Sequence, residues 1–165
     1  MKYFLFLIFF LSLGLINLNA DLKFSEQEKR ILSQIDKLFT RLSANPDSSY
    51  NEIKQIEIKC NKIKFKLGIA HCNRFYGKHQ QFTGDFPSAL KYFYLSLNLI
   101  KQSGYDVDLS LIKRDLGEYY RAVNNLDEAI KLLQESESIF VKLNDSLNLA
   151  KTYNRLAAVI HEQLK

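Results

Sequence analysis

Proline and glycine are scarce in this chain: 2 prolines and 6 glycines in 165 residues. So few breakers exclude a loop-rich fold and favour helices joined by short turns. No alternating apolar pattern marks a strand. Nor is there a cluster of five or more Lys/Arg, so a net charge of +5 is spread thinly and no nucleic-acid partner is expected. A Gly-rich phosphate loop is missing too. His161-Glu162 opens like a zinc-protease motif, but the sequence reads His-Glu-Gln-Leu-Lys and lacks the second histidine. Cys60, His71, Cys72 and His79 are metal-capable types at a spacing that fits no zinc pattern. With no nucleophile, base and orienting group assembled by spacing, an enzyme is not expected. No cofactor or metal is expected either.

What is present is ordinary for one folded unit, 47% hydrophobic and 25% charged. The first twenty residues stand apart from it. Lys2 precedes an apolar run, Tyr3 to Leu11, continued by Leu13 to Ile16 and closed by Asn17-Leu18-Asn19-Ala20. This is the layout of a secretory signal peptide with cleavage after Ala20, and the run is short of the roughly 20 residues of a membrane span. The expectation is an exported protein, periplasmic or secreted, touching a membrane only through this segment if it stays uncleaved. Loss of Lys2 would leave a net charge of +4 on residues 21–165.

The remainder reads as about seven helices. The first, within 21–43, has Ser25 as N-cap and a buried stripe of Ile31, Leu32, Ile35, Leu38, Phe39 and Leu42. The second runs from Asp47 or Ser48 to about Lys62 and the third from about Phe65 to Phe82, with only a weak break between them. Gly84 closes the third and Asp85 caps the fourth, which has Pro87 in its first turn. Asp108 is expected to cap a fifth, and Asn125 with Glu128 to form a capping box for the sixth. A seventh runs from Ser146 towards the C-terminus.

Two segments echo each other 40 residues apart, Arg74 to Leu90 and Arg114 to Ile130. Arg74 matches Arg114, Gly77 matches Gly117, Asp85 matches Asn125, Phe86 matches Leu126, Ala89 matches Ala129, and Leu90 matches Ile130. A fixed period of this size marks stacked repeats. The unit resembles the tetratricopeptide repeat, in the lengthened form found in exported or membrane-tethered bacterial sensor proteins. Gly77 and Gly117 fill the family's small position in the first helix, and Ala89 and Ala129 its alanine in the second. Phe93 and Leu133 follow four residues on. Tyr120 fills the aromatic position; Gln80 departs from it. The resemblance is strongest over 68–143, weaker for a final half-repeat at 146–165, where Leu156-Ala157 stands for Leu116-Gly117, and weakest over 24–67.

The resemblance implies an all-α, right-handed superhelical stack of antiparallel helix pairs, an α-solenoid, that binds a protein or peptide in a concave groove. Carried over by position, that groove is lined by His71, Arg74, Lys78 and Gln81, then Arg114, Glu118 and Arg121, then Lys151, Asn154 and His161. This row is more basic than acidic. It suits an extended acidic peptide or the C-terminus of a polypeptide, with Arg74 and Arg114 as carboxylate partners. A second reading is the N-terminal sensory fragment of a signal-transduction protein, a histidine kinase or DNA-binding regulator. The sequence stops inside what would be the first helix of a further repeat, which suggests either such a fragment or self-association through the last helix. Cys60 and Cys72 fall at similar heights in an antiparallel pair, so a disulfide is geometrically allowed; two unpaired thiols are the other reading.

Overall fold

The structure, a computed structural model, describes residues 24–165; the expected signal peptide, residues 1–20, lies outside them. Seven helices follow in order: α1 Glu26–Arg41, α2 Pro46–Lys62, α3 Lys66–Thr83, α4 Phe86–Lys101, α5 Asp106–Ala122, α6 Leu126–Lys142 and α7 Ser146–Gln163. No strand occurs among the described residues, and no described helix is long and apolar enough to cross a membrane.

The helix ends follow from local chemistry. At α1 the Ser25 side chain accepts from Glu28 N while Glu28 reaches back to Ser25 N at 2.8 Å, a full capping box. Gly84 closes α3 at φ 86°, and the Asp85 carboxylate then accepts from Ser88 N at 3.1 Å to open α4. Asn125 accepts from Glu128 N at 3.4 Å, but Glu128 turns to Lys131 instead of completing the box. Asp108 does not cap α5. That helix begins earlier, with Tyr105 at the N-cap, and Asp108 sits inside the first turn, bonded to His71. The faint α2–α3 break is made by Lys64, held at φ 56°, the left-handed conformation that Gly104 and Asn144 adopt at the equivalent later turns.

Packing is heaviest within two hairpins, α3 with α4 and α5 with α6. The close approach sits at the small residues. A Cβ added to Gly77 would lie 2.5 Å from a ring carbon of Phe93, and one added to Gly117 would lie 2.7 Å from Cγ of Leu133. Phe93 and Leu133 are fully buried, and each fills the groove its glycine leaves. Gly77 and Gly117 thus occupy the same site in successive hairpins. At one further contact between the paired helices the two hairpins differ by a hydroxyl. Ser110 and Ser136 exchange reciprocal bonds, Ser110 Oγ to Ser136 O at 2.7 Å and Ser136 Oγ to Ser110 O at 3.0 Å. The residues forty positions earlier are Ala70 and Ser96, and the buried Ser96 hydroxyl is left without a partner.

The first helices of the hairpins also meet one another: α1 touches α3, α3 touches α5, and α5 touches α7. The second helices α2, α4 and α6 form no such contacts. The stack therefore curves with α1, α3, α5 and α7 on its inner side. The hairpin α1–α2 joins it through ordinary apolar packing of Ile31, Ile35, Leu38, Ile53 and Ile56, without the repeat's small residues. On α7, Leu147, Tyr153, Ile160 and Leu164 remain exposed.

Candidate interaction surface on the inner helices

The inner row is where the sequence places its candidate residues, and most of them bond across the repeat boundary. The Arg74 guanidinium, 8% exposed, donates through Nε to Asp115 Oδ2 at 2.5 Å and lies 4.5 Å from the Phe39 ring centroid. Lys78 Nζ donates to Glu118 Oε2 at 2.6 Å and stands 3.9 Å from Asp115 Oδ1. His71 Nε2 is 2.8 Å from Asp108 Oδ1. Gln81 Nε2 reaches the backbone oxygen of Glu118 at 3.4 Å. Arg121 Nη1 donates to Glu162 Oε1 at 2.6 Å. Each pair joins one repeat to the next, so these side chains clamp the stack as well as line it.

Burial of Asp115 pushes its carboxyl pKa up, but Arg74 and Lys78 beside it win and hold it below the usual carboxylate range. A buried carboxylate and guanidinium in this geometry stay ionised together.

Arg114, the repeat mate of Arg74, is treated differently. It is 6% exposed, and its Nη1 donates to Asn148 Oδ1 at 3.1 Å and to Asn148 O at 3.4 Å. Its Nε is buried and has no partner. No carboxylate forms an ion pair with it among the described residues. Burial lowers its pKa, and Arg155 and Arg74 nearby add to that, while Asp115 and Glu118 oppose it. Lys151 is exposed and forms no ion pair among the described residues; Asn154 and His161 are exposed as well. At the other end of the row Phe39, Leu42, Ser43, Lys78, Gln81 and Phe82 line an open hollow of about 360 Å³, with Phe82 57% exposed.

Several members of this network were missed by position alone: Asp108, Asp115, Asn148, Arg155 and Glu162. A signal for two of the pairs existed, since Arg74 to Asp115 and Arg121 to Glu162 are both separations of 41 residues between opposite charges.

Cys60 and Cys72 are both free thiols and fully buried between α2 and α3. The neighbouring Cys60 thiol and burial push the Cys72 thiol pKa far up. Among the described residues no group of His, Cys, Asp and Glu is arranged to hold a metal ion.

Paired helices repeated at a fixed interval, with the first helix of each pair turned inward, define a helical-hairpin scaffold. Residues 67–142 match the tetratricopeptide repeat family, and the two hairpins they span, α3–α4 and α5–α6, are tetratricopeptide repeats. That family is a non-catalytic scaffold for protein–protein interaction. No curated protein matches the sequence.

Proposed function

We propose that the protein is an exported interaction scaffold whose inner face captures an extended acidic peptide or the C-terminus of a polypeptide. The observation that carries this reading is a charge left over: Arg114 and Lys151 stand on the inner row without a carboxylate from the protein itself. Arg74, Lys78 and Arg121 support the row from beneath, because their own acids already hold them. The open hollow beside Phe39 and Phe82 offers the same ligand an apolar foothold.

Fluorescence anisotropy with labelled oligoglutamate and oligolysine peptides tests the reading. Oligoglutamate binds, binding weakens as salt rises, and the exposed-site double variant Lys151→Glu/Asn154→Glu weakens it further. Equal binding of both peptides, or of neither, refutes it. Export rests on the segment ending at Ala20. Mass spectrometry of the protein from the exported fraction should find a polypeptide beginning at Asp21; an intact Met1 form held in the cell interior refutes export.

A further inference from the structure

The 40-residue register allows one helix face to be compared between α5 and α7. On α5, Ser110, Lys113, Gly117 and Tyr120 mark the face that packs against α6. Ser110 bonds Ser136, Lys113 Nζ meets Glu135 at 2.8 Å, and Gly117 lies against Leu133. Forty residues on, the same face of α7 carries Ala150, Tyr153, Ala157 and Ile160, and the stripe extends to Ser146 and Leu164. Among the described residues no helix covers it. All six residues are exposed, Tyr153 by 48% and Leu164 by 82%. This uncovered face is more apolar than its covered counterpart, since Tyr153 stands for Lys113 and Ile160 for Tyr120. A face meant for water would show the reverse.

The stripe is complementary to itself. Its steps of four, three, four, three and four residues read the same in either direction. An antiparallel copy of α7, laid along it with the ends level, sets Ser146 against Leu164, Ala150 against Ile160 and Tyr153 against Ala157. Every small residue then faces a large one, so the axes approach and the holes fill. A parallel copy would put Tyr153 on Tyr153 and Ala157 on Ala157, crowding one layer and emptying the next. No charged residue sits on the stripe. The other end of the stack does not suit it. There the α1–α2 hairpin presents a polar hollow lined by Gln34, Lys37, Arg41, Glu52 and Lys59. Head-to-tail stacking would bury Lys37 and Lys59 under apolar side chains without partners, which is costly. A closed twofold pair avoids that.

We infer that α7 is the interface of a homodimer, a twofold antiparallel pair in which Tyr153 of each copy packs on Ala157 of the other. The inference is independent of the acidic-ligand reading above. One helix of 18 residues from each copy makes a small interface, at the low end below roughly 1,200 Å² of total buried surface, so the dimer is a weak one.

Sedimentation equilibrium of the full chain, from micromolar to millimolar concentration, tests the pairing. The mass should rise to that of two copies and stop there. Ala157→Glu adds a charge at a site that is exposed in the single copy. It should leave the helix content and melting temperature of dilute protein unchanged and raise the dimer dissociation constant at least about a hundredfold. Cysteine cross-linking then reads the register, with Cys60 and Cys72 buried and out of reach. Under mild oxidation a mixture of Ala150→Cys and Ile160→Cys proteins should give a disulfide-linked heterodimer, and neither variant alone should link to itself. A single-copy mass at every concentration overturns the inference and leaves the stripe to a different partner. A mass that grows past two copies overturns it in favour of head-to-tail stacking. Dimerisation unchanged in folded Ala157→Glu moves the interface off α7, and Ala150→Cys linking to itself refutes the antiparallel register.

Discussion

Replacing Gly77 with alanine should destabilise the protein, although the same change in an ordinary helix stabilises it. In an exposed helix interior, Gly to Ala gains about 1 kcal/mol. At Gly77 the new Cβ would meet Phe93 Cδ1 at 2.5 Å, Cε1 at 2.6 Å and Cγ at 3.0 Å. Carbon atoms prefer roughly 3.5–4.0 Å, so the added methyl overlaps the ring by about 1 Å. The ring has nowhere to go: Phe93 is fully buried and packs edge-on against Tyr119 at a centroid distance of 6.2 Å. Overpacking of this kind costs about 1–3 kcal/mol, and after the helix gain the net loss is about 1 kcal/mol or a little more. Trimming the obstacle separates the two effects. In the background of Phe93→Ala, which by itself opens a cavity and loses buried ring contacts, Gly77→Ala should become neutral or stabilising, a coupling of about 1–2 kcal/mol. Urea unfolding followed by circular dichroism measures all four corners of the cycle. A Gly77→Ala variant more stable than the parent, or a coupling near zero, would refute the claim that this glycine is where the two helices of a hairpin touch.

Asp115→Asn strands the buried Arg74 charge and should cost about 3–5 kcal/mol, seen as a large drop in urea midpoint. Because the folded-state pKa of Asp115 is depressed, its contribution is present above the unfolded value of about 3.9 and is lost as pH falls through the lower folded value; the acid limb of a stability–pH curve should flatten in Asp115→Asn. Ser96→Ala removes a buried hydroxyl without a partner and should be neutral to stabilising by about 1 kcal/mol, whereas Ser136→Ala breaks the reciprocal bonds with Ser110 and should destabilise by about 1–2 kcal/mol; thermal melts of the two variants should move in opposite directions. Cys60 and Cys72 should resist a thiol reagent in the folded protein and yield two thiols on unfolding without reductant, consistent with their burial; no thiols on unfolding would show them bridged.

How much of this was legible depends on what kind of contact each residue makes. The hairpins were readable because Gly77, Ala89 and Phe93 recur at fixed spacing as Gly117, Ala129 and Leu133, and close packing tolerates few other combinations there. The turn at Lys64 was not, since lysine is no usual choice for a left-handed residue and its position is dictated by the packing of α2 on α3. Asp108 has the look of a helix cap, but a partner on another helix, His71, claims it. The inner charges were visible as a row and invisible as pairs. Only coordinates show that Arg74 is closed by Asp115 while Arg114 is not, because the pairing crosses between repeats and depends on their rotation. The step of 41 residues from Arg74 to an acid, and from Arg114 to Arg155, carried that distinction.

Whether the inner helices hold the partner is tested most directly by backbone amide chemical-shift mapping during titration with oligoglutamate. Shifts should group on the inner helices, on α5 and α7 around Arg114, Lys151 and Arg155 and at the hollow by Phe39 and Phe82, with α4 and α6 unmoved at Lys91 and Lys131. Shifts confined to the outer helices, or no shifts at all at saturating peptide, would contradict an inner binding face.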